Sequence, residues 1–276
     1  MPEGPEIKLA ADQIGKAIAA QPITEVFFAF ESLKLYQDVL RAEQVVAVEP
    51  RGKALLIRFS NQLSIYSHNQ LYGVWYTRPA YRYPPTSRQL RLAIHTAKKS
   101  ALLYSASDIQ VLKDDEIAAH PFLSKLGPDV LDPATTVEMI RDRLLDKRFF
   151  RRGFPSLLLD QHFLSGLGNY LRSEILFVAG VYPTLRPVDC TAEQLAKLAT
   201  AAIALPRQSY ATKGITNDLA IANQLKAAGK QRRQYRHWVF SRQGQFCYIC
   251  GTAILKQIAG GRRVYYCPGC QSKGRK

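Results

Sequence analysis

Cys247-Tyr248-Ile249-Cys250 and Cys267-Pro268-Gly269-Cys270 stand 16 residues apart near the end of a 276-residue chain. Two Cys-x-x-Cys knuckles at this spacing can set four thiolates tetrahedrally around a zinc ion, with the segment between them folded as a hairpin. The reading is a zinc ribbon. Four thiolates leave the metal no open position, so the one Zn²⁺ expected is structural. Two disulfides or idle thiols are the alternatives. The fifth cysteine, Cys190, is read as inert. Cysteines used in this way suit a reducing compartment.

The ribbon lies in the most basic part of the chain. Residues 207–276 hold 14 Lys or Arg against one acid, Asp218, a net +13, which leaves +3 of the total +16 to the other 206 residues. Such a block usually meets a polyanion, since each neutralised phosphate releases counterions; a solubilising face is the bland alternative. Hydrophobic residues at 47% argue against disorder. No apolar run approaches the roughly 18 residues of a membrane span, so no membrane partner is expected. The start of the chain lacks the basic and apolar regions of a signal peptide.

Further upstream the hydrophobic period changes twice. Ile7, Ala11, Ile14 and Ile18 predict a helix over 5–20, with Pro5 in its first turn. Short β-branched and aromatic runs at 26–30, 45–48, 54–59, 63–66, 90–96 and 101–104 predict a β-sandwich or barrel. Residues 116–135 read as a linker. Helices are expected at 137–145, 156–164, 169–179 and 192–205, the last with a capping box from Thr191 and Gln194. Residues 211–237 read as loop.

Two more motifs carry chemistry. Gly166-Leu167-Gly168-Asn169 predicts a tight turn and a helix start with Asn169 as N-cap, whose free N–H groups suit a phosphate; a purely structural helical turn is equally compatible. Met1-Pro2-Glu3-Gly4-Pro5-Glu6 is unusual. Removal of Met1 would leave Pro2 with a secondary amine of pKa near 8, which can attack an aldehyde carbon and form an iminium, an electron sink suited to elimination. Glu3 and Glu6 lie beside it. An ordinary Pro start with helix-capping carboxylates is the alternative.

Taken together, Met1–Glu6, Arg51-Gly52-Lys53, the segment around Asn169 and the cysteine ribbon stand in the order found in the bacterial formamidopyrimidine-DNA glycosylase/endonuclease VIII family, which this chain resembles over nearly its whole length. Gly4 and the run Ser67-His68-Asn69-Gln70-Leu71-Tyr72-Gly73 are similar to the endonuclease VIII branch rather than the purine-directed one. The resemblance implies a multidomain α and β fold. Residues 1–130 would be a catalytic β-sandwich with an N-terminal helix, 131–237 a helix–two-turn–helix DNA-binding domain, and 238–276 the zinc ribbon. It implies a bifunctional DNA glycosylase/AP lyase of base excision repair that removes oxidised pyrimidines from double-stranded DNA. It further implies a monomer in the bacterial cytoplasm, acting at the nucleoid.

The same resemblance assigns roles. Pro2 is the implied Schiff-base nucleophile at C1′, Glu3 the acid that helps open the sugar, and Glu6 a supporting carboxylate. Lys53 is the implied proton donor in β-elimination, and Arg262 binds phosphate and serves δ-elimination, with Arg263 an adjacent competitor. Gln70, Leu71 and Tyr72 are implied to fill the gap left by an extruded nucleotide; Leu71 could equally face a core. Asn169 is an implied phosphate contact. Lys125 stands where relatives tend to carry a phosphate-binding Arg, which keeps the charge but loses the planar fork. The segment 211–237 is longer and more basic than the family pattern, either a DNA-contacting insertion or a mobile loop.

Overall fold

The computed structural model describes residues 2–271. The chain divides between Lys125 and Leu126 into two compact units.

The first unit opens with helix α1 (Gly4–Ile18), whose buried Ile7, Ala11, Ile14 and Ile18 form the stripe expected from the sequence. Glu6 Oε2 accepts the Glu3 backbone N–H at 3.0 Å, which fixes the entry to the helix. There follow β1 (Ile23–Phe28), the short α2 (Tyr36–Val39), β2 (Val45–Arg51), β3 (Ala54–Phe59), β4 (Ser64–His68), β5 (Val74–Pro79), β6 (Leu90–Thr96), β7 (Lys99–Tyr104), β8 (Asp108–Leu112) and the helix α3 (Asp114–Ala119). The strands form two four-stranded antiparallel sheets, β1-β6-β7-β5 and β2-β3-β4-β8. Period-two alternation sends Leu55, Ile57, Ile65, Leu92, Ile94, Leu103 and Val111 into one core shared with α1, which makes a sandwich.

Two strands escape the sequence reading. β5 and β8 are both edge strands, and β5 is half-exposed and ends in Pro79, as edge positions allow. The expected linker 116–135 is corrected in its first half. Ile117, Phe122 and Leu123 cover the outer face of the second sheet at Ala54, Leu56, Tyr66 and Leu112, because β3 is apolar on both faces.

The second unit contains α4 (Val137–Leu145), α5 (Phe154–Leu157), α6 (Asn169–Val178), α7 (Ala192–Ala211), α8 (Leu219–Ala227), α9 (Arg232–Tyr235) and the hairpin β9 (Leu255–Ala259) with β10 (Arg262–Tyr266). The expected helix 156–164 is wrong: α5 stops at Leu157. The Asp160 side chain accepts the His162 N–H at 2.9 Å and diverts the backbone into a turn. Gln161 then staples that turn, donating to the carbonyls of Leu159 and Leu167 and accepting from the Gly166 N–H, each at 3.0 Å. α7 carries its predicted capping box but runs through Pro206 rather than ending before it. Its apolar face packs on α4 and α6, which outweighs a proline cost of about 3 kcal/mol. Residues 211–237 are not a loop: they hold α8, capped by Asp218, and α9.

Candidate active site and metal centre

In the first unit, the groups singled out from sequence sit at the ends of elements fixed by the core. Pro2 is partly buried and directly precedes Glu3, which is 3% exposed at the cap of α1. Met1 lies outside the described residues. β2 and β3 pair from Val45↔Phe59 to Arg51↔Ala54, so Gly52-Lys53 is a two-residue hairpin turn, and Gly52 takes φ +61°. This turn holds Lys53 at 6% exposure. α1 packs on β2 and β3, so the elements that bury the Glu3 carboxyl and the Lys53 ammonium are packed against each other in one unit.

The segment following β4 settles one open alternative. Leu71 and Tyr72 are 58% and 67% exposed, so Leu71 is not a core residue. The turn is tight: Gly73 N–H donates to the Asn69 carbonyl at 2.7 Å, and a Cβ on Gly73 would fall 2.6 Å from that oxygen. Gln70, at φ +49°, donates its N–H to His68 Nδ1 at 3.0 Å and accepts from the Ser107 hydroxyl at 2.7 Å. Arg88 donates to the Tyr72 carbonyl. Sequence reasoning missed Arg88, whose contact spans 16 residues, and the positioning part of His68, although its bond to the Gln70 N–H is local. Burial pushes the His68 imidazole below its ordinary pKa, against the pull of Asp108 and with the Lys53 charge adding to the effect. A cavity of about 490 Å³ opens beside it, lined by Tyr66, His68, Gln70, Asp108, His120 and Phe122 among others. Lys125 is exposed at the end of a 3₁₀ turn, Leu123–Lys125.

In the second unit, Asn169 opens α6, but the cap is Gly168. The Asn169 side chain instead accepts from Arg172 Nη2 at 2.7 Å, which corrects the expected N-cap role. Arg172 is fully buried and also donates to the carbonyls of Pro155 at 2.6 Å, Ala259 at 3.1 Å and Arg263 at 3.1 Å. One guanidinium therefore ties the helix bearing Asn169 to the hairpin bearing Arg262. Nothing in the sequence reading singled it out, although its i+3 spacing from Asn169 was visible. At the hairpin turn, Gly260 (φ +60°) lies so close to Pro155 that a Cβ would meet its carbonyl oxygen at 3.0 Å.

The ribbon separates the two competing arginines. Arg262 pairs with Ala259 and shares strand parity with Val264, which is buried in the helical core. Arg263 takes the opposite parity, with Tyr265, which packs in a cluster with Cys247, Ile254 and Phe177 of α6. Arg262 and Arg263 thus lie on opposite faces of the hairpin, both exposed.

The four cysteines converge as predicted. Their Sγ atoms all lie within 4.8 Å of one another. Cys247–Cys270 and Cys250–Cys267 are 3.7 and 3.4 Å apart, with all four thiols free. A tetrahedron with metal–sulfur bonds of about 2.3 Å has edges of about 3.8 Å, so the donor set fits a tetrahedral thiolate metal. The Thr252 hydroxyl and the neighbouring sulfurs pull the Cys250 thiol down to about 6, whereas burial pushes Cys267 and Cys270 up. A bound cation would remove that conflict by favouring thiolate at all four. Cys190 lies apart, its thiol pushed up to about 11 by burial, as an inert residue would be.

Comparison with known proteins agrees with this architecture. Residues 1–107 match the formamidopyrimidine-DNA glycosylase N-terminal domain and residues 126–220 the formamidopyrimidine-DNA glycosylase H2TH domain. The chain is 49% identical over 271 residues to endonuclease 8 of Shigella sonnei (strain Ss046) and, to the same extent, of Escherichia coli (strain 55989 / EAEC), covering 98% of this chain and 100% of each relative. Lactococcus lactis Fpg in complex with an oxidised pyrimidine-containing DNA superposes with a TM-score of 0.81, at 19% identity, over 99% of this chain and 100% of that one. MutM in complex with DNA containing carbocyclic 8-oxo-G does so at 0.81 and 20%, over the same shares; at these identities the likeness is one of fold. The chain belongs to the formamidopyrimidine-DNA glycosylase/endonuclease VIII family, on its endonuclease VIII branch. Among the described residues no helix is long and apolar enough to cross a membrane.

Proposed function

We propose that this chain is a bifunctional DNA glycosylase/AP lyase of base excision repair that removes oxidised pyrimidines from duplex DNA. The observation that carries the reading is that one unit holds both Pro2-Glu3, with Glu3 buried at a helix cap, and a buried Lys53 on a Gly-led hairpin turn. The name of its 49% identical relatives, endonuclease 8, points the same way.

In this mechanism the Pro2 nitrogen, freed of Met1, attacks C1′, and the glycosidic bond breaks to release the base. Glu3 protonates the sugar ring oxygen as the ring opens. The resulting iminium acidifies C2′; loss of a C2′ proton expels the 3′ phosphate, and a second elimination expels the 5′ phosphate. Lys53 exchanges protons during the first elimination and Arg262 holds the departing phosphate in the second. Gln70, Leu71 and Tyr72 occupy the gap in the duplex, while Lys125 and Asn169 hold backbone phosphates. The four cysteines hold one structural Zn²⁺, whose contribution is to fold the ribbon that presents Arg262.

The test is borohydride reduction in the presence of abasic DNA. A covalent adduct on Pro2 is expected, and any residue retained ahead of Pro2 should abolish it, because the nitrogen is then an amide. An adduct mapped to Lys53, or normal trapping by an N-terminally extended form, would overturn the mechanism. Glu3→Gln should lose base excision while keeping measurable cleavage of a preformed abasic site, whose aldehyde is already available.

A further inference from the structure

We infer that residues 211–237 form an anchored basic arm that grips the phosphodiester backbone of double-stranded DNA irrespective of damage. The inference rests on the DNA-acting reading above and extends it to a segment which that reading leaves unused.

The arm is held at both ends. Thr216 and Asn217 are fully buried. The Thr216 hydroxyl donates to Glu174 of α6 at 2.5 Å and lies 2.7 Å from His237 Nδ1. The backbone N–H groups of Thr216 and Asn217 both donate to the Arg236 carbonyl, at 2.8 and 3.2 Å, and Asn217 Nδ2 donates to the Tyr235 carbonyl at 3.1 Å. Glu174 also accepts from the N–H groups of Trp238, Val239 and Phe240 at 2.7, 2.9 and 2.9 Å. The segment 218–234 therefore projects from a closed base, where a mobile loop would have none.

Its cations fall into two sets. Arg232, though exposed, and the half-buried Arg236 are engaged by the fold, donating to the carbonyls of Lys213 and Gly214. Gly214, at φ +108°, is packed against both guanidiniums, at 3.2 and 3.1 Å from where a Cβ would lie. Lys213, Lys226, Lys230 and Arg233 are exposed. The arm has one acid, Asp218, whose carboxylate caps the two N–H groups that start α8. Attraction to the C-terminus of α8 explains Lys226 and Lys230 in part, at roughly 0.3–1 kcal/mol each. Lys213, next to the C-cap of α7, and Arg233, in the last turn of α9, gain the same local attraction, yet the exposed cations together, against the single acid Asp218, leave the arm strongly positive.

The chemistry favours duplex over single strand. Residues 213–234 contain no aromatic side chain and Tyr235 is buried, so the arm offers no ring for unpaired bases to stack on. Cations without stacking partners bind phosphate and carry no base information.

Binding of undamaged duplex across a salt series tests the arm. Lys226→Gln, Lys230→Gln and Arg233→Gln should each lower the slope of log affinity against log salt by about 0.9 per lost contact. The triple variant should lose about two to three, equally on damaged and undamaged duplex, with an unchanged melting temperature. An unchanged slope in the folded single variants would overturn the inference. So would a loss confined to damaged duplex, which would assign the arm to the lesion. If the wild-type protein forms no borohydride adduct yet the slopes still fall, the glycosylase reading fails and the arm stands.

Discussion

The two units present their functional groups by opposite routes. In the first, Glu3, Lys53 and Gln70–Tyr72 sit at a helix cap, a two-residue turn and a strand end, and the surrounding order comes from an apolar core at near-zero exposure. In the second, the groups hang on buried polar staples: Arg172 between Asn169 and the hairpin, Glu174 under the arm, and four sulfurs at the base of the ribbon. An apolar core tolerates the loss of a surface group that it holds in place. A buried charge whose partners are removed leaves unsatisfied atoms, at several kcal/mol. Substitutions at the exposed Gln70–Tyr72 of the first unit should therefore cost activity without stability, and those behind the site of the second should cost both.

Metal removal is the most severe way to break that contrast. Cys250→Ser, or chelation of the wild-type protein, should release one Zn²⁺ per chain and unfold the ribbon, since structural zinc contributes on the order of 10 kcal/mol or more to such units. DNA affinity should collapse with Arg262 no longer presented, while the sandwich keeps its own melting transition. Metal analysis with DNA binding checks it. A metal-free protein that still binds DNA would show that the ribbon needs no metal.

Arg172→Met comes next. It keeps much of the volume but removes the donors to Asn169 and to three carbonyls, one of them at Arg263 itself. A loss of about 3–5 kcal/mol is expected, from broken charged hydrogen bonds in a buried site, together with weaker DNA binding. Denaturant melts should register it in the second transition. A variant as stable as the wild type would mean the hairpin is held by packing alone.

That staple also marks the limit of the sequence. Helix α1, six of the strands, the cysteine cluster and the turn at Gly52 were legible because each is local: a period, a spacing or a glycine. β5 was lost because it is nowhere fully buried and ends in Pro79, β8 because Asp108 and Gln110 break its short apolar run, and 156–164 was misread because its apolar run is interrupted by side chains that bond their own backbone. The bonds from Arg172 to the hairpin and from Glu174 to the base of the arm are long-range, joining residues 42 to 91 positions apart. No window of sequence contains both partners. The distinction between Arg262 and Arg263 likewise needed the register of β10 on β9.

Leu71→Ala sharpens the comparison from the other side. At 58% exposure the substitution should change stability by less than about 0.5 kcal/mol. Excision of a damaged base should slow by about tenfold or more, because the wedge that holds the gap open is gone, while cleavage of a preformed abasic site slows far less. Single-turnover rates on the two substrates separate these effects. Equal slowing of both would remove Leu71 from base extrusion.

The smallest effect expected is a pH dependence confined to the second unit. His237 is 6% exposed, and burial, with the charges of Arg236, Arg232 and Arg242 adding to it, holds its imidazole well below the ordinary value of 6.5. Between that depressed value and 6.5 the unfolded chain binds a proton that the folded chain refuses. The stability from a neutral His237 is thus fully present above about pH 6.5 and is lost as pH falls, at up to about 1.4 kcal/mol per pH unit for one group. His68 and His95 are also held low by burial, but in the first unit, so the total acid response does not isolate the effect. His237→Asn does, because it keeps a polar partner for Thr216 and removes the titration. Melts of the variant and the wild type between pH 7.5 and 5, read at the second transition, should converge as the pH falls. A wild type that gains stability relative to the variant as the pH falls would instead show that His237 carries its proton inside the fold, and that Glu174, 3.9 Å from its Nδ1, pairs with an imidazolium after all.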